Sequence, residues 1–325
     1  MTLPIHRLLQ GALASLGLIC LAAVAQGATP QLKSQVPGWY RMMVGDIEVT
    51  ALYDGYIDLD TSLMKNATPQ EVERGLSRAF LPATGKVQTS VNAFLVNTGG
   101  HLVLIDTGTA HNFGPTLGLV VQNLKASGYD PSQVERILLT HLHADHQGGL
   151  LTDEGKAVFP NAIISPSRTE SDYWLDAAQM AKAPADGKGT FQLAQKTFAV
   201  YKALGHWQPF EPNSVIVPGI TAMATGHTPG HSSYIVESRG TKLVVTGDVI
   251  HFGAVQFARP DVVVQFDTDN AKARASRKAL FAQAAKDGFL LAGAHLTFPG
   301  IGHVRPSGQG YEWVPVGYSP IRNDQ

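Results

Sequence analysis

The sequence predicts an α/β protein in which two mixed β-sheets pack face to face between outer helices, an αββα sandwich. Three observations carry that expectation. Short apolar or alternating runs of strand character are interleaved with segments of helical period. The two halves of the chain each open on hairpin-like pairs, and neither a repeat nor a low-complexity linker separates them. Beyond an N-terminal segment about 300 residues remain, enough for one large domain that buries roughly three quarters of its unfolded surface, so residues 28–325 are expected to form a single domain.

The first segment, residues 1–27, has a basic start (His6, Arg7), an apolar core from Leu8 to Val24 and small residues at Ala23-Val24-Ala25. That pattern predicts a secretory signal peptide and places the mature protein in the periplasm or outside the cell. Gln10, Gly11, Ser15 and Gly17 interrupt the apolar run, which is short for a membrane span. Cys20 is the only cysteine, so the processed chain carries no disulfide and no thiolate, and any metal ligands must be nitrogen and oxygen donors.

Ile47–Leu52 alternates as a strand and ends in the turn Asp54-Gly55. Val91–Val96 and His101–Ile105 read as a hairpin around Thr98-Gly99-Gly100. Leu117–Ser127 has a helical apolar face and Gly128 as its stop. Ile137-Leu138-Leu139 reads as a strand end, with further strands near 162–165, 221–224, 233–237 and 242–246. Helices are expected over 169–180 and over 271–286, the latter with its basic residues outward. The stretch 183–189, rich in Pro and Gly, is expected to be a flexible loop.

The chemistry concentrates after the strand-like runs. Thr140-His141-Leu142-His143-Ala144-Asp145-His146 follows the run Ile137-Leu138-Leu139. On an extended segment His141 and His143 leave on the same side and can share one metal ion, while Asp145 and His146 point elsewhere, toward a second. Further donors come at ordered places: His227 and His231 in Gly226-His227-Thr228-Pro229-Gly230-His231, Asp248 after Val244-Val245-Thr246-Gly247, and His295 after Leu290–Ala294. His101, His111, His206 and His303 lie in no comparable motif.

This order, HxHxDH, then GHTxGH, then a strand ending in Gly-Asp, then a late strand-end histidine, resembles the metallo-β-lactamase superfamily. The resemblance implies that His141, His143 and His227 hold one divalent cation and Asp145, His146 and His295 a second, with Asp248 bridging. It also implies that Asp106 and His231 stand behind the ligands and orient them. Zinc is the first expectation for the metal, with manganese, cobalt and iron as alternatives.

The segments Val36–Met42, Phe113–Leu117, Phe298–His303 and Tyr311–Val316 further resemble methyl parathion hydrolase and its relatives, exported two-metal enzymes that open organophosphate triesters, aryl esters and lactones. The likeness extends from about Val36 to Pro320 and implies a homodimer. Two positions depart from it: His251 and Phe266 stand where methyl parathion hydrolase has leucines. In lactonases of the superfamily a tyrosine at the same offset from the bridging aspartate assists ring opening. His251 can do comparable work by donating a hydrogen bond or a proton to the departing oxygen.

The expected chemistry is attack by a hydroxide bridging two cations, whose water pKa falls to about 7. Asp248 and His251 are the expected catalytic residues. Phe113, Trp174, Phe191, Phe266 and His251 are expected to line an apolar pocket for a small neutral aromatic ester, lactone or phosphotriester, with phosphotriester hydrolysis as a side activity. A dedicated organophosphate hydrolase is the alternative, and a β-lactamase or di-iron oxidoreductase is weaker. No Gly-x-Ser-x-Gly elbow supports a serine nucleophile. The net charge of −1 and the lack of a long basic run argue against nucleic acid as substrate.

Overall fold

The computed structural model describes residues 29–82 and 85–321. The expected signal segment, with Cys20, lies outside them. From Pro37 onward the strands are β1 (Trp39–Val44), β2 (Ile47–Asp60), β3 (Met64–Lys65), β4 (Lys86–Asn97), β5 (Leu102–Ile105), β6 (Arg136–Leu138), β7 (Ile163–Ser165) and β8 (Val215–Val217). They continue as β9 (Ile220–Ala224), β10 (Ser232–Ser238), β11 (Thr241–Gly247), β12 (Val263–Val264), β13 (Leu290–Gly293), β14 (Ile301–Ser307) and β15 (Gly310–Pro315). The helices are α1 (Pro69–Arg78), α2 (Val120–Ala126), α3 (Ala144–Gln147), α4 (Arg168–Leu175), α5 (Ala177–Lys182), α6 (Lys188–Ala203), α7 (Gly253–Gln256) and α8 (Asn270–Asp287).

Six strands form one sheet in the order β1-β2-β4-β5-β6-β7, and seven form the other in the order β15-β14-β13-β11-β10-β9-β8. Both are mixed: β5, β6 and β7 run parallel, as do β11 and β13, while the other neighbours are antiparallel. Packing explains the layering. Val49, Phe94, Val103 and Leu138 of the first sheet bury against Tyr234, Val236, Leu243 and Ala292 of the second. The outer face of the first sheet, through Leu52, Leu95, Leu104 and Ile137, meets Leu124, Trp174, Phe191 and Tyr201 of α2, α4 and α6. The outer face of the second, through Val244 and Leu291, meets Leu280 and Phe281 of α8. Each sheet is therefore apolar on both faces, and the αββα sandwich follows.

Gly55 shows how the long β2 is fitted in. It sits in a bulge at φ 134°, where a Cβ would lie 1.9 Å from the Thr116 carbonyl oxygen, so only glycine lets β2 bend past that loop.

Four local expectations need correction. The helix expected over 169–180 is two, because Asp176 leaves the helical region at ψ 117° and caps α5 by accepting the Ala178 N–H. The helix expected from Leu117 begins at Val120, since Gly118 takes φ 93°. The flexible loop expected over 183–189 gives way at Lys188 to α6, inside which Phe191 is fully buried. The basic residues of α8 do not all face outward: Arg277 is completely buried.

Candidate metal centre

The site forms where one end of each sheet meets the other. His141 and His143 follow β6 in a loop rather than on the strand itself, and His143 occupies the N-cap position of α3, which carries Asp145 and His146. His227 lies in the β9–β10 connection, Asp248 directly follows β11, and His295 lies two residues beyond β13. Two ligand-type groups result, His141 with His143, His227 and Asp248, and Asp145 with His146, His295 and Asp248, the donor atoms within each lying no more than 4.8 Å apart.

Asp248 belongs to both groups. Its Oδ1 lies 3.1 Å from the Nε2 atoms of His146 and His295, and its Oδ2 lies 3.5 Å from those of His141 and His227. The His141 and His146 Nε2 atoms and Asp248 Oδ1 are nonetheless buried without a hydrogen-bond partner among the described residues. Donors that crowd together yet miss one another are aimed at a shared point between them. Nitrogen and oxygen donors in this arrangement fit divalent cations such as zinc.

The far side of three of the rings is held by a partner that fixes which nitrogen faces inward. His146 Nδ1 donates to Asp106 Oδ2 at 2.8 Å, and Asp106 also accepts the Thr140 N–H and hydroxyl at 2.8 Å each. His227 Nδ1 donates to Asp267 Oδ1 at 2.7 Å, and His295 Nδ1 to the Ser90 carbonyl at 3.0 Å. His231 has a different task. Its Nε2 accepts the Asp248 backbone N–H at 3.0 Å and its Nδ1 donates to the Thr225 hydroxyl at 2.5 Å, so it positions the shared carboxylate and has no nitrogen left for a cation. Outer partners of this kind govern ligand orientation. Asp106→Asn is expected to weaken metal binding by about 10- to 100-fold, read by chelator competition, with the fold kept by circular dichroism.

The electrostatics are those of a cluster balancing itself. Burial, then repulsion from neighbouring imidazoles, pushes His141 well below the ordinary histidine pKa and His143 down to about 3. Burial acts the same way on His146 and His295, but the Asp248 and Asp145 carboxylates outweigh it, taking His146 well above the ordinary value and His295 to about 10. Burial would raise Asp145 and Asp248, yet the surrounding imidazoles hold both well below the usual carboxylate range. Imidazoles and carboxylates thus pull one another's proton affinity in opposite directions, as groups gathered round a shared centre of positive charge do.

His251 Nε2 lies 3.0 Å from Asp248 Oδ2, and its ring stacks on His295 at 5.0 Å. Phe266 is 5.8 Å from that ring, past the end of β12 rather than in a strand. Trp174 packs edge-on against His143 at 5.4 Å, and Phe191 lies behind it at 4.5 Å, so Phe191 supports Trp174. Phe113 sits on a loop with 53% of its surface exposed. Of the histidines outside the motifs, His101 pairs with Glu135 and His303 with the Gly288 carbonyl.

Sequence reasoning missed two carboxylates. Asp267 follows β12 with no motif around it; only its place one residue after Phe266 could have drawn notice. Glu170, buried in α4, looks in sequence like one more charged residue of an amphipathic helix.

The chain matches the family model of the Metallo-beta-lactamase superfamily over residues 87–295. Among solved structures it is similar to hydrolase AbOPH, described as in the beta lactamase superfamily, at 41% identity and TM-score 0.83, over 88% of this chain and 100% of that one. It is also similar to AidC, a dizinc quorum-quenching lactonase, at 28% identity and TM-score 0.80, over 87% of this chain and 99% of that one. Ribonuclease TTHA0252 of Thermus thermophilus is 29% identical over 52% of this chain. The chain spans only 22–60% of the length of the first curated relatives it matches. A family match over more than half the chain, on the fold and around the histidine–aspartate cluster just described, shows that this protein belongs to the metallo-β-lactamase superfamily.

Proposed function

We propose that the protein is a two-metal hydrolase of lactones and aryl esters, exported to the periplasm or beyond, with organophosphate triester hydrolysis as a side activity. The observation that carries the substrate reading is the position of His251, 3.0 Å from Asp248 Oδ2 and beside Phe266. The likeness to a dizinc lactonase over nearly the whole chain supports it.

His141, His143, His227, Asp145, His146 and His295 would hold two divalent cations, zinc first, with Asp248 shared. When bound, such cations supply Lewis acidity toward the carbonyl oxygen and ionise water near neutral pH. The protein's own part is orientation and proton placement. His231 and the Asp248 backbone fix the shared carboxylate, and Asp106 and Asp267 fix two of the rings. Asp248 Oδ2 accepts the His251 Nε2–H at 3.0 Å here, and with that carboxylate engaged by the cations the same N–H would be released to the departing ring or aryloxy oxygen. Trp174 and Phe266 wall the site with apolar surface, which suits a neutral ester better than a polyanion. The match to a ribonuclease covers 37% of that protein, and the near-neutral charge here offers no phosphate-backbone track.

The test is kcat/KM of the metal-replete protein on dihydrocoumarin and on methyl parathion, with His251→Leu alongside. The lactone is expected to be preferred, and the substitution is expected to cut lactone turnover by roughly tenfold or more while phosphotriester turnover holds or rises. Preference for methyl parathion in the unaltered protein would make it a dedicated organophosphate hydrolase instead.

A further inference from the structure

Glu170 lies in the first turn of α4, completely buried, and touches three parts of the site without being a ligand. Its Oε1 accepts the Leu142 N–H at 3.0 Å and the Trp174 indole N–H at 2.5 Å. Its Oε2 accepts the Thr228 hydroxyl at 2.8 Å and the Gly230 N–H at 2.9 Å. Leu142 separates His141 from His143, Thr228 follows His227, and Trp174 packs on His143. Ser167 adds a second tie, donating to the Gly230 carbonyl at 2.6 Å and accepting the Glu170 N–H at 3.2 Å. The approach is close enough that a Cβ on Gly230 would lie 2.1 Å from the Glu170 nitrogen.

We propose that Glu170 is a positioning residue: one carboxylate that holds the His141–His143 loop and the His227 loop at their mutual spacing and ties both to the Trp174 wall of the substrate pocket. The inference rests on the two-metal reading above. All four partners are donors, so the role demands an acceptor with two oxygens, and an apolar or amide side chain of the same size cannot fill it. Glutamine makes the requirement testable. On the Leu142 and Trp174 side both donors are fixed N–H groups, whereas on the other side the Thr228 hydroxyl can turn round and accept. The amide nitrogen of Glu170→Gln therefore settles toward Thr228 and leaves the Gly230 N–H without a partner. The lesion falls on the His227 loop.

The experiment loads wild type, Glu170→Gln and the milder Thr228→Val with cobalt(II), measuring stoichiometry, affinity and visible absorption by titration, with thermal unfolding of each. Wild type is expected to take up two cobalt ions per chain. Glu170→Gln is expected to keep one site at wild-type affinity while the other weakens by about 10- to 100-fold with an altered spectrum, and Thr228→Val is expected to weaken the same site less. If Glu170→Gln does not fold, Thr228→Val alone decides. Wild-type affinity and spectrum at both sites in whichever variant folds, with only the unfolding temperature lowered, would overturn the proposal and leave Glu170 a core anchor. A wild-type protein that binds no pair of cobalt ions would overturn the two-metal reading, and this inference with it.

Discussion

Asp248→Ala is expected to lower kcat/KM by at least about 1,000-fold, the rate equivalent of roughly 4 kcal/mol of lost transition-state stabilisation. Among the described residues no other side chain belongs to both ligand groups, and its Oδ2 lies 3.0 Å from His251 Nε2. Removing the carboxylate leaves three histidines on one side and Asp145, His146 and His295 on the other, with nothing shared between them. At least one cation per chain should be lost, and elemental analysis of the purified variant reads that directly. His231 would retain its ring position but lose its purpose, because the backbone N–H it accepts would no longer aim a carboxylate. The fold should survive, since Asp248 follows β11 rather than lying within the apolar interface between the sheets. Activity within tenfold of wild type, with both cations retained, would exclude Asp248 as the shared ligand.

What could be read from the sequence and what could not divide along physical lines. The residues of the two ligand groups lie in short local motifs after apolar runs, because strand ends are where a sandwich delivers side chains to a shared edge. Such placement leaves a local trace: spacing within HxHxDH, or a carboxylate directly after β-branched residues. Asp267 and Glu170 leave none. Each acts through contacts far away in sequence, Asp267 on His227 and Glu170 on Leu142 and Gly230, and a carboxylate's neighbours in sequence do not show that it will be buried. The fold shows the same division. Both mixed sheets follow from runs of strand character, yet α6 was hidden because Pro184, Gly187 and Gly189 mark a loop while the helical period begins within them.

Arg277 gives the clearest case of a residue whose period pointed the wrong way, and Arg277→Met is expected to cost about 3–5 kcal/mol of stability. Helix α8 is rich in basic residues that suit a solvent-facing side, but Arg277 turns inward. Its guanidinium donates to the Val249 carbonyl at 2.6 Å, to the Pro260 carbonyl at 3.3 Å and to the Val262 carbonyl. Burial pulls its pKa down to about 10, which leaves it charged at neutral pH. Those carbonyls belong to the segment that carries Asp248, His251 and the approach to Phe266, and Gln256 braces the same segment by accepting the His251 and Phe252 N–H groups while donating to Val262. Methionine fills much of the space but leaves buried carbonyls without their donor. For a protein of this size the loss corresponds to a fall in Tm of roughly 5–8 °C, measurable by calorimetry on the metal-replete protein. Arg277→Lys should recover less than half of it, because a single ammonium cannot reproduce the planar fork that reaches three carbonyls. A Tm within about 2 °C of wild type for Arg277→Met would mean that Gln256 and the packing of Val262 hold the segment without it.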